Sequence, residues 1–375
     1  MRQVTRITIL VLILLRSVAA NASDVSGGTL SPFALGTGGR SIAMGRASAA
    51  VWGGSCALIW NPAGMENIER AEISLFHTPL LDKDASYYSA IGSYPFLDAG
   101  TISFGILQLG INGIEVRDED NLISGPDLSV RQSRYLAGYS RSLYGRLTGG
   151  LTLKLDRFEE GSYSASGFGA DIGFGYQRSM DTDAIDGIAF GMTLFNMLEP
   201  SMRLAEEESG DPRGVRAGIA IWGPFPGNLN DRLLLAFDLE DTRLSETGIH
   251  AGVEYGLEPY VSIRGGYDDG DPTFGLGFRF ATVSLDYAFR TSDLESYHLF
   301  SLTVGFGATR TRRLEERQAA REREIREQID MEIAHFEENF VEGSIHEAEA
   351  SKSEGRFEDA AALFDKVLMM DPGNE

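Results

Sequence analysis

The chain has 375 residues, with 55 acidic side chains against 33 basic ones, a formal net charge of -22 and one cysteine. A field of that sign repels nucleic acid and anionic membrane surfaces, so neither is expected as a partner. The lone thiol, Cys56, excludes an internal disulfide framework, and the length suits two or three ordinary domains or one large all-β barrel.

At the N-terminus, Arg2 and Arg6 precede the apolar run Ile7 to Leu15, which is too short to span a bilayer. Small residues follow, and Ala20-Asn21-Ala22 or Val18-Ala19-Ala20 fits a signal-peptidase site. Residues 1–22 read as a cleaved signal peptide, with the mature chain starting near Ser23. A retained anchor is the alternative, and Arg16 interrupts the run it would need. Residues 23–70 are rich in Gly, Ala and Ser and carry no long periodic element.

From 71 to 307 the texture changes to short segments with period two. Leu151, Leu153 and Leu155 alternate with Thr152, Lys154 and Asp156; Phe274, Leu276, Phe278 and Phe280 alternate with Gly275, Gly277 and Arg279. One apolar face in period two means half-buried strands. The other face mixes glycines with Asp171, Asp238, Glu254 and Arg264, and the apolar face ends repeatedly in Tyr or Phe. Apolar outward, polar inward and aromatic at the rims is the transmembrane-barrel arrangement; a soluble sandwich would read the same with the directions reversed. Fourteen strands are expected, at 71–79, 86–95, 98–111, 131–143, 145–158, 165–178, 186–198, 212–222, 231–241, 246–256, 259–268, 272–281, 282–290 and 296–307. Longer connections are expected after the odd-numbered strands, including 112–130 and 199–211, and an even count returns both chain ends to one rim. Phe300, Leu302, Val304 and Phe306 give the last strand an apolar, aromatic-ended face resembling the signal read by barrel assembly machinery.

Residues 308–343 are dominated by Arg and Glu at helical spacings such as Glu322 to Arg326, which predicts a solvated charged helix. Residues 344–375 resemble a single tetratricopeptide repeat, with Ala348, Gly355-Arg356-Phe357, Ala360, Phe364 and Pro372 at its positions. One repeat cannot bury its own apolar face, so Phe357, Leu363, Phe364 and Leu368 are expected to bind a partner, either a periplasmic protein or a second copy.

Gly36 to Met65 reads GTGGRSIAMGRASAAVWGGSCALIWNPAGM. Its Gly-rich start, Arg40-Ser41, Met44-Gly45 and Asn61-Pro62-Ala63-Gly64 resemble the N-terminal signature of the PorV/PorQ proteins within the FadL-like outer-membrane group, with Gly53-Gly54 where that family has an acidic pair. The resemblance implies an all-β transmembrane barrel of about 14 antiparallel strands, whose N-terminal segment folds into the lumen as a plug, plus a C-terminal helical extension. The plug motif would comprise Arg40, Ser41, Gly45, Trp60, Asn61, Pro62, Ala63 and Gly64. A periplasmic linker is the plainer reading of the same stretch.

No chemistry of catalysis stands out. The five histidines have no paired ligand spacing, no G-x-S-x-G elbow occurs, and the glycines at 36, 38 and 39 do not complete a dinucleotide fingerprint. No enzyme activity, cofactor or metal is therefore expected, and the acidic run Asp268-Asp269-Gly270-Asp271 reads as a solvated turn rather than a Ca²⁺ site. The resemblance implies an accessory role in protein export or envelope assembly, of the type IX secretion kind, through a periplasmic or secretion-system partner. The alternative is a FadL-like transporter of small hydrophobic molecules across the outer membrane. A transporter requires an apolar pocket beside the plug and a break in one strand, for which Gly105, Gly110 and Gly113 are the candidate places. Either reading puts the barrel in the lipid of a Gram-negative-type outer membrane with its tail in the periplasm.

Overall fold

The computed structural model describes residues 31–375 apart from 81–83, 119, 126, 162, 181, 183, 205–206, 226–227, 244, 258, 292–295, 372 and 374–375. The expected signal peptide, the cleavage sites and Pro372 lie outside the described residues. The body is a closed antiparallel barrel of fourteen strands. They are β1 (Ala71–Leu80), β2 (Ala85–Pro95), β3 (Thr101–Ile114), β4 (Leu128–Tyr144), β5 (Leu147–Glu160), β6 (Tyr163–Ser179), β7 (Gly187–Leu198), β10 (Gly214–Phe225), β11 (Asn228–Thr242), β12 (Ser245–Leu257), β13 (Val261–Asp268), β14 (Asp271–Phe280), β15 (Val283–Arg290) and β16 (Tyr297–Phe306). A separate hairpin, β8 (Ser201–Leu204) with β9 (Glu207–Gly210), stands in the connection from β7 to β10, where the sequence suggested only loop.

Neighbours along the chain pair throughout, and β1 closes the ring on β16 in the register Ala71↔Phe306. Both ends of the barrel chain therefore meet at one rim, called here the terminal rim. Closure leaves no unpaired sheet edge, which lipid could not satisfy. The expected alternation of loop lengths is only partly present. The connections 115–127 and 199–213 at the opposite rim are long, but only two residues separate β5 from β6, β11 from β12 and β13 from β14, because the strands there extend beyond their expected limits.

Burial settles the direction of the period-two pattern. Leu151, Leu153, Leu276 and Phe278 are 40%, 53%, 41% and 52% exposed, whereas Thr152, Asp171 and Asp238 are almost wholly buried. A soluble sandwich would bury the first set. The apolar face points outward and the polar face inward, as a transmembrane barrel requires.

Beyond the barrel the chain forms a second compact unit, Thr311–Glu375. It is built from α3 (Arg310–Ser353) and α4 (Phe357–Met370). The boundary expected at 343–344 is absent: α3 runs unbroken for 44 residues, since no proline interrupts it. A turn at Gly355 (φ 82°) folds α4 back, burying Ser344, Ala348 and Ser351 of α3 with Ala360 and Val367 of α4. No helix among the described residues is long and apolar enough to cross a membrane.

Candidate functional site: a plugged lumen

The segment preceding β1 lies inside the barrel. It consists of a 3-10 turn Pro32–Leu35, the short helices α1 (Gly39–Ala43) and α2 (Ala57–Trp60), and a second 3-10 turn Pro62–Asn67. The two 3-10 turns begin where local chemistry allows. Ser31 caps the first turn by accepting from Phe33 N at 3.2 Å, with proline in the opening position. Asn61, extended at φ -154°, caps the second by accepting from Ala63 N at 3.1 Å, again ahead of a proline.

The wall grips this plug through polar contacts between residues remote in sequence. Arg40 makes a two-pronged ion pair with Glu254 on β12, both contacts at 2.8 Å, and Glu254 is shared with Arg264 on β13 at 2.6 Å. Asp238 on β11, wholly buried, accepts from Ser48 N and Ala49 N at 2.7 Å each. Such charge-assisted bonds are among the stronger kind. Asn61 donates through Nδ2 to Ala49 O at 2.7 Å and to Phe174 O on β6 at 3.1 Å. Trp60 donates to Thr37 O at 2.9 Å, and its ring lies beneath the guanidinium groups of Arg46 and Arg216, 5.6 and 4.9 Å from its centroid. Thr193 and Thr152 donate to Trp60 O and Leu58 O.

Glycines make the wall concave. A Cβ placed on Gly138, Gly150, Gly173, Gly191, Gly252 or Gly266 would come closer than 3.0 Å to a plug atom. The same holds in reverse at Gly45, where φ is 63° and the carbonyls of Tyr267 and Ala251 crowd the missing side chain. These glycines occupy inward-facing places in the period-two pattern. Their clustering there is the signal for a socket that the sequence carries, beyond marking a small, polar face.

The lumen has two unlike walls. From β5 round to β15 it carries charged pairs, Lys154 with Asp171 at 2.7 Å, Arg264 with Asp286 at 2.6 Å, and Arg216 with Glu240, beside a small apolar patch of Ala189, Ala220 and Ala236. Asp268, read in the sequence as part of a solvated turn, instead points inward, 1% exposed, toward His250 (2.9 Å), Arg290 (3.1 Å) and Arg46 (3.5 Å). The acidic carboxylate has turned in because the barrel places three cationic or imidazole groups around it. Against β1 to β4 and β16 the wall is apolar, formed by Phe76, Tyr87, Ile91, Leu107, Leu136 and Leu299, all buried. Phe33 and Leu35 of the plug pack on it, with Phe33 and Tyr87 rings 6.4 Å apart and the Arg134 guanidinium 4.5 Å above Phe33. The expectation of a polar inward face is thus corrected in part: these strands present an apolar patch to the lumen beside buried Ser74, Thr78, Ser89, Ser103 and Arg134.

On the terminal-rim side of the plug a cavity of about 830 Å³ reaches the turn residues Pro259 and Tyr260. Arg40, Ser41, Trp52, Cys56, Trp222 and Asp286 help line it. Cys56 is half-buried there, and withdrawal from water pushes its thiol up to about 12.

The predicted residues fall as follows. Arg40, Ser41, Gly45 and Trp60 to Gly64 all lie within the lumen; Pro62 and Ala63 sit in the hollow left by Gly150. Gly105 and Gly110 do not break β3, since its ladders with β2 and β4 are continuous through both. The register shifts only between Ile111 and Ile114, around Gly113 at φ 74°. A larger irregularity, which the sequence did not suggest, lies between β6 and β7. There the ladder jumps from Ala170↔Leu198 to Ile172↔Leu194, and Asn196 N donates to the Asp171 side chain at 2.7 Å. In the tail, Phe357 and Leu368 are exposed while Leu363 and Phe364 are half-buried. Among the described residues no group of three or more His, Cys, Asp or Glu is arranged to hold a metal ion.

No family model and no curated protein matches the chain. Solved structures similar to it are the deltaS2S3 mutant of the TodX monoaromatic hydrocarbon channel (15% identity, TM-score 0.49, 72% of this chain and 99% of that one) and the Ralstonia pickettii toluene transporter TbuX (14%, 0.43, 72% and 99%). A Pseudomonas aeruginosa FadL homologue is similar at 12% identity and TM-score 0.45, with 75% of this chain and 100% of that one covered.

Proposed function

We propose that the protein is an outer-membrane channel for small apolar molecules, gated by residues 31–68 in its lumen. The observation that carries this reading is the apolar wall. Apolar side chains facing a wet lumen are unfavourable unless something apolar covers them; Phe33 and Leu35 do so here by packing. An apolar solute of similar size competes for the same surface and shifts the plug by its preference for that wall. The terminal rim, the cavity and the tail then face the periplasm, as an even strand count and a charged helix excluded from lipid favour.

Expression in cells with intact lipopolysaccharide should raise the uptake of radiolabelled naphthalene. Leu107→Glu, which puts a carboxylate on the wall, should abolish that gain while the barrel keeps its heat-modifiable migration. Uptake that is the same with and without the protein overturns the reading. The export role has one observation in its favour, the exposed Phe357 and Leu368 of α4, which suit a periplasmic protein partner. A photoreactive residue at Phe364 that gives no protein adduct in cells would dismiss it.

A further inference from the structure

The longest helix carries an apolar face that its own unit leaves bare. Ile325, Ile329, Ile333, Phe336 and Phe340 follow one another at steps of four, four, three and four. At 3.6 residues per turn these five fall within an arc of about 80° on α3. They are 48%, 51%, 51%, 66% and 36% exposed, because the packed part of α3 begins only at Ser344. In the sequence, which predicts a solvated charged helix here, the stripe is hidden among arginines and glutamates.

The charges on the same helix are segregated along its length. Residues 310–326 hold seven arginines and four glutamates; residues 327–349 hold eight acidic residues and no Lys or Arg. A parallel copy would set acidic half against acidic half. An antiparallel copy sets each basic half against the other's acidic half while the apolar stripes meet, and charge arrangement of this kind selects orientation as well as partner.

We propose that α3 pairs antiparallel with α3 of a second copy of this chain. In the register that superposes the two stripes, Ile325 lies opposite Phe340 of the second copy and Ile329 opposite its Phe336. Ile333 sits beside the twofold axis, and Arg326 comes next to Glu337 of the second copy. The two Ile325 positions are then about 22 Å apart, fifteen residues along the helix.

The full chain in a Cys56→Ser background tests this. Copies carrying Ile325→Cys and Phe340→Cys under different affinity tags, co-expressed and oxidised, should give a disulfide-linked mixed dimer and no link between two Ile325→Cys chains. A link between two Ile325→Cys chains means parallel pairing and overturns the proposal. So does the absence of any linked species together with a monomeric mass in detergent, which assigns the stripe to a different protein. In the otherwise native chain, Ile329→Asp with Phe336→Asp should abolish the dimer while the barrel stays heat-modifiable. A dimer that survives those substitutions places the contact elsewhere and also overturns it.

Discussion

Replacing Gly191 by valine should undock the plug and leave the barrel standing. A Cβ at this position would lie well inside the 3.0 Å that real side chains keep from their neighbours, against the carbonyl of Ala49. The plug backbone must retreat by about 1 Å or more, since interiors packed to crystal density cannot absorb the overlap otherwise. That retreat acts on three bonds of 2.7 Å: Ser48 N and Ala49 N to Asp238, and Asn61 Nδ2 to Ala49 O. Two bonds to a charged group at about 1.5–3 kcal/mol each and one neutral bond near 1 kcal/mol give roughly 4–7 kcal/mol in favour of release. At tenfold per 1.4 kcal/mol this is about three to five orders of magnitude in the docked-to-released ratio. The assay is single-channel conductance in planar bilayers, with heat-modifiable migration reporting the barrel. The matched control is Gly265→Val, where the nearest atom is Val253 Cγ1 at 3.8 Å and no plug atom is close. Conductance of Gly191→Val equal to wild type, in a barrel that still resists unfolding, would refute the socket argument.

Other perturbations separate wall, clamp and thiol. Leu276→Arg should block membrane insertion, because a cation facing lipid near the midplane costs about 2–4 kcal/mol, whereas Ser284→Arg, which opens onto the cavity, should insert normally. Gly275, the inward neighbour of Leu276, is no control, since a side chain there would strike Ala43 of the plug. Arg40→Met removes one clamp, yet Glu254 keeps Arg264 and Arg40 is 31% exposed. Roughly 1 kcal/mol after solvent screening is expected, seen as brief openings and not as a permanently open pore. Burial favours the neutral thiol of Cys56, so maleimide labelling should accelerate about tenfold per pH unit from 7 to 9. A plateau near pH 8.5 would show an ordinary thiol. Labelling of Gly191→Val should be faster at every pH.

The strands were legible in detail because their signal is local. Leu151 to Asp156 and Phe274 to Phe280 state their two faces within six or seven residues, and the observed strands overlap all fourteen expected segments. The inward faces are less uniform than a polar lumen requires. Phe76, Tyr87 and Leu107 sit on the parity opposite to exposed Leu75, Tyr88 and Phe104, so at these places the strands carry apolar side chains on both sides. In the sequence that shows as a loss of alternation, the mark of a strand with apolar contacts on each face. The stripe on α3 was readable too, at helical spacing, but abundant charge hid it.

Sequence alone determined that this chain makes many period-two strands with one apolar face and a small-residue segment ahead of them, since period two and the glycine-rich motif from Gly36 to Gly64 are properties of neighbouring residues; the direction of the apolar face was decided by the closed structure. Only the closed structure decided which groups meet. Arg40 finds Glu254 across 214 positions, and the amide of Ala49 finds Asp238 across 189. The choice between Asp268 as a solvated turn and Asp268 as a luminal anchor likewise depended on where Arg46, His250 and Arg290 arrive when the sheet closes. Pairing across a lumen is fixed by strand register and by the depth at which the plug stops, and neither leaves a periodic trace in the chain.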